Sequence, residues 1–519
     1  MKKSVFCLLL AVAWLWARPA SVHVPLDYWG YDFLERMETR GLFESSALRT
    51  RPITRDQFAE LLRTIPERSA KMNHPLSGVE RRQLEQLQGD FYDELKRSFF
   101  ASSPERHLLS WQEDKSGLYL DLYGKESIIS NRGGQYQPEQ LLSETAVGGI
   151  LRGTLNQNLG FYLDARNALT RGGEVPEEEN FDPSKGSPTV ISGSNVFQDR
   201  ALAYWTWQSS WLQLALGRDE FQWGPGWHAG LSISGNMPAT EMIRLSSTFK
   251  RFRFTYLHAF LRSGLGAKYL AGHRIDYTLK PGLYIGATET VIYGKRDVEF
   301  AYLNPIMPFH VAQHHLGDKD NKTISVDLTT TLLTGSKFYF EYFIDDMTSS
   351  ESLTRYYGNK FAFLAGVQWS NPFRLQNVDL RLEHSHVEPF VYSHWDSINI
   401  YSNYDQLIGH WLGPNGECTI LQTDWQISRD LRLECSLEQQ RKGDGAADTR
   451  SKPESGTIKH FLSGVVEKKR LAGLRVVDQI RRDVFVSLHY TYADVRNTGH
   501  QPGRTTFNHL ARFELYVNY

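Results

Sequence analysis

Val484-Phe485-Val486-Ser487-Leu488-His489-Tyr490-Thr491-Tyr492 and Phe513-Glu514-Leu515-Tyr516-Val517-Asn518-Tyr519 both alternate. Val484, Val486, Leu488, Tyr490 and Tyr492 fall on one face of the first; Phe513, Leu515, Val517 and Tyr519 fall on one face of the second. A period of two is the mark of a strand whose faces meet different surroundings. Working back along the chain, the same period appears in Val378, Leu380 and Leu382 and in Leu431, Leu433 and Cys435. It recurs in Leu159, Phe161, Leu163 and Ala165, and in Leu118, Leu120 and Leu122. Soluble sandwiches alternate as well, so connection lengths must decide.

The connections are long and short by turns. Lys125 to Thr145 reads as long and Asn156 to Asn158 as tight; Thr170 to Asp199 is long and Gln208 to Ser210 tight. Asp219 to Glu241 is long and Lys250-Arg251 tight. A turn at Lys280-Pro281-Gly282, the long Tyr293 to Asn321 and a turn at Thr334-Gly335 continue the series. Long loops at one end and tight turns at the other are the layout of a bacterial outer-membrane barrel. The expectation is an all-β fold, a transmembrane antiparallel β-barrel of about eighteen strands over residues 111–519. Lys469 to Asp483 breaks the pattern, being too long for a tight turn, and as a loop it would move the count by two. Tyr519 would set an aromatic ring at the membrane interface and would serve the barrel-insertion machinery as its recognition signal.

Composition agrees. The chain has 13% aromatic residues and 41 glycines, with a mean hydropathy of -0.43. That is too polar for a helical membrane protein and too aromatic for a disordered chain. A formal net charge of -1 leaves no basic surplus for phosphates, so nucleic acid is not an expected partner. Lys2 and Lys3 followed by the apolar stretch Val5 to Trp16 read as a signal peptide over 1–20, cleaved after Ala17 or Ala20. Cys7 lies within it. Cys418 and Cys435 flank a tight turn near Ser428-Arg429 and would sit several residues out of register, which favours two unpaired thiols.

Residues 21–110 have helical rather than strand periodicity. Tyr31, Leu34 and Met37 share a face that Gly41 closes; Thr54 with Gln57 is a capping box for a helix expected to stop before Pro66. Ser77 with Glu80 opens a third helix, carrying Leu84, Leu87, Phe91 and Leu95. Three short amphipathic helices need another surface to cover them, and the short-turn, periplasmic end of the barrel is the expected one.

Several segments invite a chemical reading. Gly217-Arg218-Asp219 leads into Gln222-Trp223-Gly224-Pro225-Gly226-Trp227 and then Leu231-Ser232-Ile233-Ser234. Trp-Gly-Pro-Gly is a rigid turn that projects two indoles. Either these stack on sugar rings while Arg218, Asp219 and Gln222 bind hydroxyls, or they pin an inward-folded loop to the barrel wall. Trp411 and Asn415, in Gly409-His410-Trp411-Leu412-Gly413-Pro414-Asn415-Gly416, pose the same choice. His310 and His314 have one-turn spacing, but no Glu stands in the zinc-protease position between them, and they read as ordinary loop histidines. The cluster of Glu174, Glu177, Glu178 and Glu179 reads as a solvated loop. No nucleophile elbow, phosphate loop or dinucleotide fingerprint is present, so neither an enzyme nor a cofactor is expected.

The segments Gly217 to Ser234 and Gly409 to Gly416 resemble the capsule assembly proteins of the Wzi family, as do Tyr302-Leu303-Asn304-Pro305-Ile306 leading to Asp320-Asn321, and Val24-Pro25-Leu26 to Gly41-Leu42 with Arg51-Pro52-Ile53-Thr54-Arg55. The resemblance implies a non-enzymatic outer-membrane barrel that binds and retains capsular or exopolysaccharide at the cell surface. Arg218, Asp219, Gln222, Trp223, Trp227, Trp411 and Asn415 would then be the sugar-binding set. The expected partners are surface polysaccharide, outer-membrane lipid and lipopolysaccharide, and the protein would act as a monomer. The alternative is a porin or transport channel for small solutes. On either account Asp121, Asp164, Arg166, Asp327, Glu341, Arg381 and Glu383 face the lumen.

Overall fold

The computed structural model describes residues 19–95, 106–113, 115–133, 139–172, 189–348, 350–404, 406–444 and 456–518. The signal-peptide reading of Lys2 to Ala17, the Glu174–Glu179 cluster and Tyr519 lie outside the described residues. Eighteen strands form a closed antiparallel barrel. They are β1 (Ser116–Gly133), β2 (Gln140–Leu155), β3 (Leu159–Arg171), β4 (Asn195–Gln208), β5 (Gln213–Asp219) and β6 (Thr240–Phe249). Next come β7 (Phe252–Leu261), β8 (Lys268–Lys280), β9 (Leu283–Gly294), β10 (Asn321–Thr330), β11 (Ser336–Asp346) and β12 (Lys360–Ser370). The circuit ends with β13 (Val378–Val387), β14 (Gly416–Gln426), β15 (Leu431–Lys442), β16 (Glu467–Arg481), β17 (Val484–Arg496) and β18 (Thr505–Asn518).

The last strand closes on the first, from Asn508 opposite Gly133 to Asn518 opposite Tyr123. Across this seam Lys125 reaches Glu144 at 2.7 Å and Glu514 at 3.5 Å, tying β2, β1 and β18 together from inside. The alternation sorts the faces as the sequence predicts. Leu122, Leu163, Val326, Phe338, Leu382, Leu437, Leu488 and Phe513 are exposed on the outer wall, a surface suited to lipid. Asp121, Asp327, Glu341, Arg381 and Glu383 are buried within.

Two expectations about connections change. Lys469 to Asp483 is no loop: most of it belongs to β16, which turns at Arg482-Asp483 into β17. The exception disappears because Leu471, Leu474 and Val476 continue the ladder with β15. The first long loop also shrinks, since β1 and β2 pair out to Asn131 and Gln140. Cys418 stands opposite Gln440 and Cys435 opposite Thr423, so neither faces the other, and both thiols are free. Cys418 is buried and Cys435 exposed.

Among the described residues four α-helices precede the barrel: α1 (Gly30–Thr39), α2 (Arg55–Lys71), α3 (Gly78–Asp90) and the single turn α4 (Tyr92–Leu95). Both capping boxes form, Thr54 with Gln57 and Ser77 with Glu80. α2 runs through Pro66 instead of stopping before it. Proline forfeits one helical hydrogen bond; the buried Ile65 and Ser69, whose hydroxyl donates to the His74 carbonyl, keep the final turns in place. Leu34, Met37, Phe58, Leu62, Leu87 and Phe91 make a core of the helices' own.

This helical part docks at the short-turn end and reaches into the lumen. Arg36 donates to Asp379 at 2.7 Å, Arg432 to Asp32 at 2.7 Å, and Thr50 to Asp276 at 2.6 Å. The Gly335 N–H in the β10–β11 turn donates to the Thr39 carbonyl. Deeper in, His23 meets Asp219, at the far end of β5, at 2.7 Å. Burial pushes the Glu80 carboxyl up, but the guanidiniums of Arg36 and Arg40 outweigh it and hold Glu80 below the usual glutamate range. Asp32 is depressed in the same way, burial being outweighed by Arg432 and Arg381.

Candidate functional site

The loop between β5 and β6, residues 220–239, folds inward, and two wall carboxylates hold it there. Glu383 accepts from the backbone N–H of Trp227 at 2.7 Å and of His228 at 3.1 Å. Glu341 accepts from the N–H groups of Leu231 and Ser232 at 3.1 Å each, and from the Ser232 hydroxyl at 2.7 Å. Charged acceptors make the strong hydrogen bonds, and here each carboxylate serves several donors at once. Gly224 adopts φ +108 and lies so close to Glu341 that a Cβ would meet the carboxylate at 2.9 Å. Its N–H donates to the Arg49 carbonyl, and Thr50-Arg51 pairs with Gln222-Trp223 as a two-stranded sheet. The helical part and the inward loop therefore meet inside the barrel.

The β13–β14 loop, residues 388–415, joins them from the other end. Ser234 donates to the Ile408 carbonyl through its N–H and to Gly409 through its hydroxyl, and the Tyr392 hydroxyl donates to the Leu231 carbonyl at 2.8 Å. Trp223, Leu231 and Ile233 pack with Leu257, Leu270, Phe343, Leu364, Tyr392 and Tyr401 in one apolar core across the lumen. Below it, between the helical part and the turn of residues 224–227, remains a cavity of about 190 Å³ lined by Glu35, Arg51, Gln222 and Tyr339.

The seven expected sugar-binding residues are not brought together on one surface. Trp223 is 0% exposed, its ring lying over Gly272 of β8, where the missing Cβ makes room for it. Asp219 is buried against His23, and Asn415 is buried with its amide donating to the carbonyl and hydroxyl of Ser463. Arg218 follows Leu216 on the outer face and pairs with Glu241 at 3.0 Å. Gln222 donates within its own turn to the Gly226 carbonyl. Trp227 is half-buried under the Arg381 guanidinium, 5.1 Å from the ring centre, and Trp411 is half-buried, edge-on to His228 at 5.6 Å. For Trp223, Asp219 and Asn415 the pinning reading accounts for the geometry: these groups serve the loops' own packing.

A tryptophan missing from that set does stand free. Trp395, in Ser393-His394-Trp395-Asp396-Ser397, is 60% exposed on the long-loop rim. Asp396 accepts from Lys295 of the β9–β10 loop at 2.7 Å, which joins the two longest described rim loops. Lys295 holds the Asp396 carboxyl below the usual aspartate range, chiefly through that hydrogen bond. Phe300 and Ile306 are exposed on the same β9–β10 loop, whose base is fixed by Tyr302 donating to Asp320 at 2.7 Å. An indole flanked by polar residues in a long connection was the signal available in the sequence. His310 and His314 sit on one turn of the helix Phe309–His315, and His310 takes Lys322 as its neighbour at 2.9 Å.

An outer-membrane β-barrel whose lumen is filled by its own helices and inward loops is the class these features define. Within that class, the sequence profile of the capsule assembly protein Wzi family matches residues 199–510, and the chain belongs to that family. Among solved structures it is similar to the Escherichia coli outer-membrane protein Wzi, described as involved in group 1 capsule assembly and as a carbohydrate-binding β-barrel. That likeness has a TM-score of 0.60 at 13% identity, covering 95% of this chain and 98% of the other. Pseudomonas aeruginosa OccD3 (OpdP) aligns with a TM-score of 0.45 at 12% identity, over 77% of this chain and 91% of the other. No individual curated protein sequence matches.

Proposed function

We propose that this protein binds capsular or exopolysaccharide on its long-loop rim and retains the polymer at the cell surface without chemical change to it. The long loops then face outward, and the helical part lies on the periplasmic side behind a signal peptide removed on export. The observation that carries the reading is the filled lumen: an apolar core crosses it where a solute channel would need a continuous wet path. Family membership and the carbohydrate-binding barrel of Escherichia coli Wzi support the substrate class.

Trp395 is the residue proposed to stack on a sugar ring, with Lys295 and Asp396 beside it for hydroxyls or an acidic sugar. Among the seven residues named from sequence, Trp411 keeps enough exposure to serve as a secondary contact; Trp227 faces the cavity on the helical side of the lumen core, and Trp223, Asp219 and Asn415 shape the loops. A single aromatic–sugar stack contributes about 1 kcal/mol by analogy with aromatic pairs. Retention of a long polymer therefore rests on many barrels acting together. The test is co-sedimentation of purified surface polysaccharide with outer-membrane vesicles carrying the protein. Trp395→Ala should lower the polymer retained while the barrel stays heat-modifiable. Retention unchanged in that variant would move the site elsewhere on the rim. Loss of the protein should shed polymer into the medium without stopping its synthesis.

A further inference from the structure

The inward loop, β14 and β15 bring three metal-ligating side chains of different kinds to one point. His228 comes from the loop, Cys418 from the inner face of β14 and Glu438 from the inner face of β15. Their ligand atoms all lie within 4.8 Å of one another. Cys418 Sγ is 3.3 Å from Glu438 Oε1, and His228 Nε2 is 3.5 Å from that same oxygen without making a hydrogen bond to it. Zinc bonds of about 2.3 Å to sulfur and about 2.0–2.2 Å to nitrogen or oxygen, at a tetrahedral angle, put ligand atoms roughly 3.3–3.6 Å apart. The two spacings to Glu438 fall in that range, and the His228 and Cys418 ligand atoms lie within 4.8 Å of each other.

The surroundings fit as well. Gln440 donates to Glu438 Oε1 at 2.7 Å, an outer-shell bond that orients the carboxylate. Backbone bonds to Glu383 hold the His228 end of the loop against the wall. Trp411 closes over the His228 ring edge-on at 5.6 Å. Among the described residues no other group of three such side chains converges in this way.

We infer that His228, Cys418 and Glu438 bind one transition-metal ion of the zinc class, with the fourth position left to a water. The thiol gives up its proton to the solvent as the metal–sulfur bond forms, so binding releases a proton. The ion fastens the inward loop to two strands of the wall, and it acts as a latch on the filled lumen.

The test uses the exported protein in detergent, processed as proposed and so without Cys7, carrying Cys435→Ser so that Cys418 is its remaining thiol. After chelator treatment this protein is titrated with Co²⁺. One equivalent should bind with a thiolate-to-cobalt charge-transfer band, and Zn²⁺ should displace it. Cys418→Ser and His228→Ala should abolish the band or weaken binding by more than ~100-fold, and Gln440→Ala should weaken it by about 10- to 100-fold. X-ray absorption of the zinc-loaded Cys435→Ser protein needs no further variant and should show one sulfur with nitrogen or oxygen ligands. Binding that does not saturate, or a metal shell without sulfur, would overturn the inference.

Discussion

The β5–β6 loop and the outer part of the β13–β14 loop each present a tryptophan in a long connection, with opposite results. Trp223 is fully buried in the lumen; Trp395 stands more than half exposed on the rim. The difference lies in what receives the loop backbone. Around Trp223 the N–H groups of residues 227, 228, 231 and 232 find Glu383 and Glu341 on the wall, and the loop is drawn in. Around Trp395 the polar side chains satisfy one another, Asp396 with Lys295 and with the Ile398 N–H, and the indole is left to solvent. Lumen carboxylates, which in a porin would face water, here serve as anchors for backbone donors.

The contrast fails first if Trp223 is not structural. Trp223→Ala should cost about 3–5 kcal/mol, as for other buried large-to-small changes, and lower the temperature of heat modification. A barrel as heat-resistant as the parent would show that the indole carries no packing load. Glu383→Ala and Glu341→Ala come next, since each removes a charged acceptor from donors that stay buried, at about 1–3 kcal/mol for each stranded group. The loop should then loosen and ion conductance rise in planar bilayers, with Glu→Gln at either site showing less.

A smaller effect concerns the helical part. Glu80 and Asp32 are depressed in the folded protein, so the stability they contribute is fully present above the ordinary carboxylate range. It is lost as pH falls through their depressed values. Hydrogen exchange across Gly30–Asp90 should be slow at neutral pH and should quicken below about pH 4 before the strands respond. Helices exchanging no faster than strands in acid would remove these ion pairs from the account. Smallest of all in stability is Trp395→Ala, expected within about ±0.5 kcal/mol of the parent as for other surface changes, with its effect confined to polymer binding.

Much of the barrel is legible in the sequence because burial on one face only imposes a period of two, and Leu431-Arg432-Leu433-Glu434 shows it without any partner in view. Helix starts are legible because a capping box is local. Pro66 misleads for a related reason: local propensity argues for a stop, while Ile65 and Ser69 are held by packing that no short window reveals. The site is far less legible. Nothing near Trp223 in the chain announces Glu341 or Glu383, and His228, Cys418 and Glu438 have no motif spacing because three separate elements supply them. Trp411 and Asn415 sit in a segment that resembles the family, yet a motif records that a residue matters and not which way it faces.

Conductance of the unmodified protein in planar bilayers tests the central claim most directly. A lumen closed by Trp223, Leu231, Tyr392 and the helical part should give almost no steady current at moderate voltage. A stable, ohmic channel of porin size in the parent protein would contradict the account and restore a transport role.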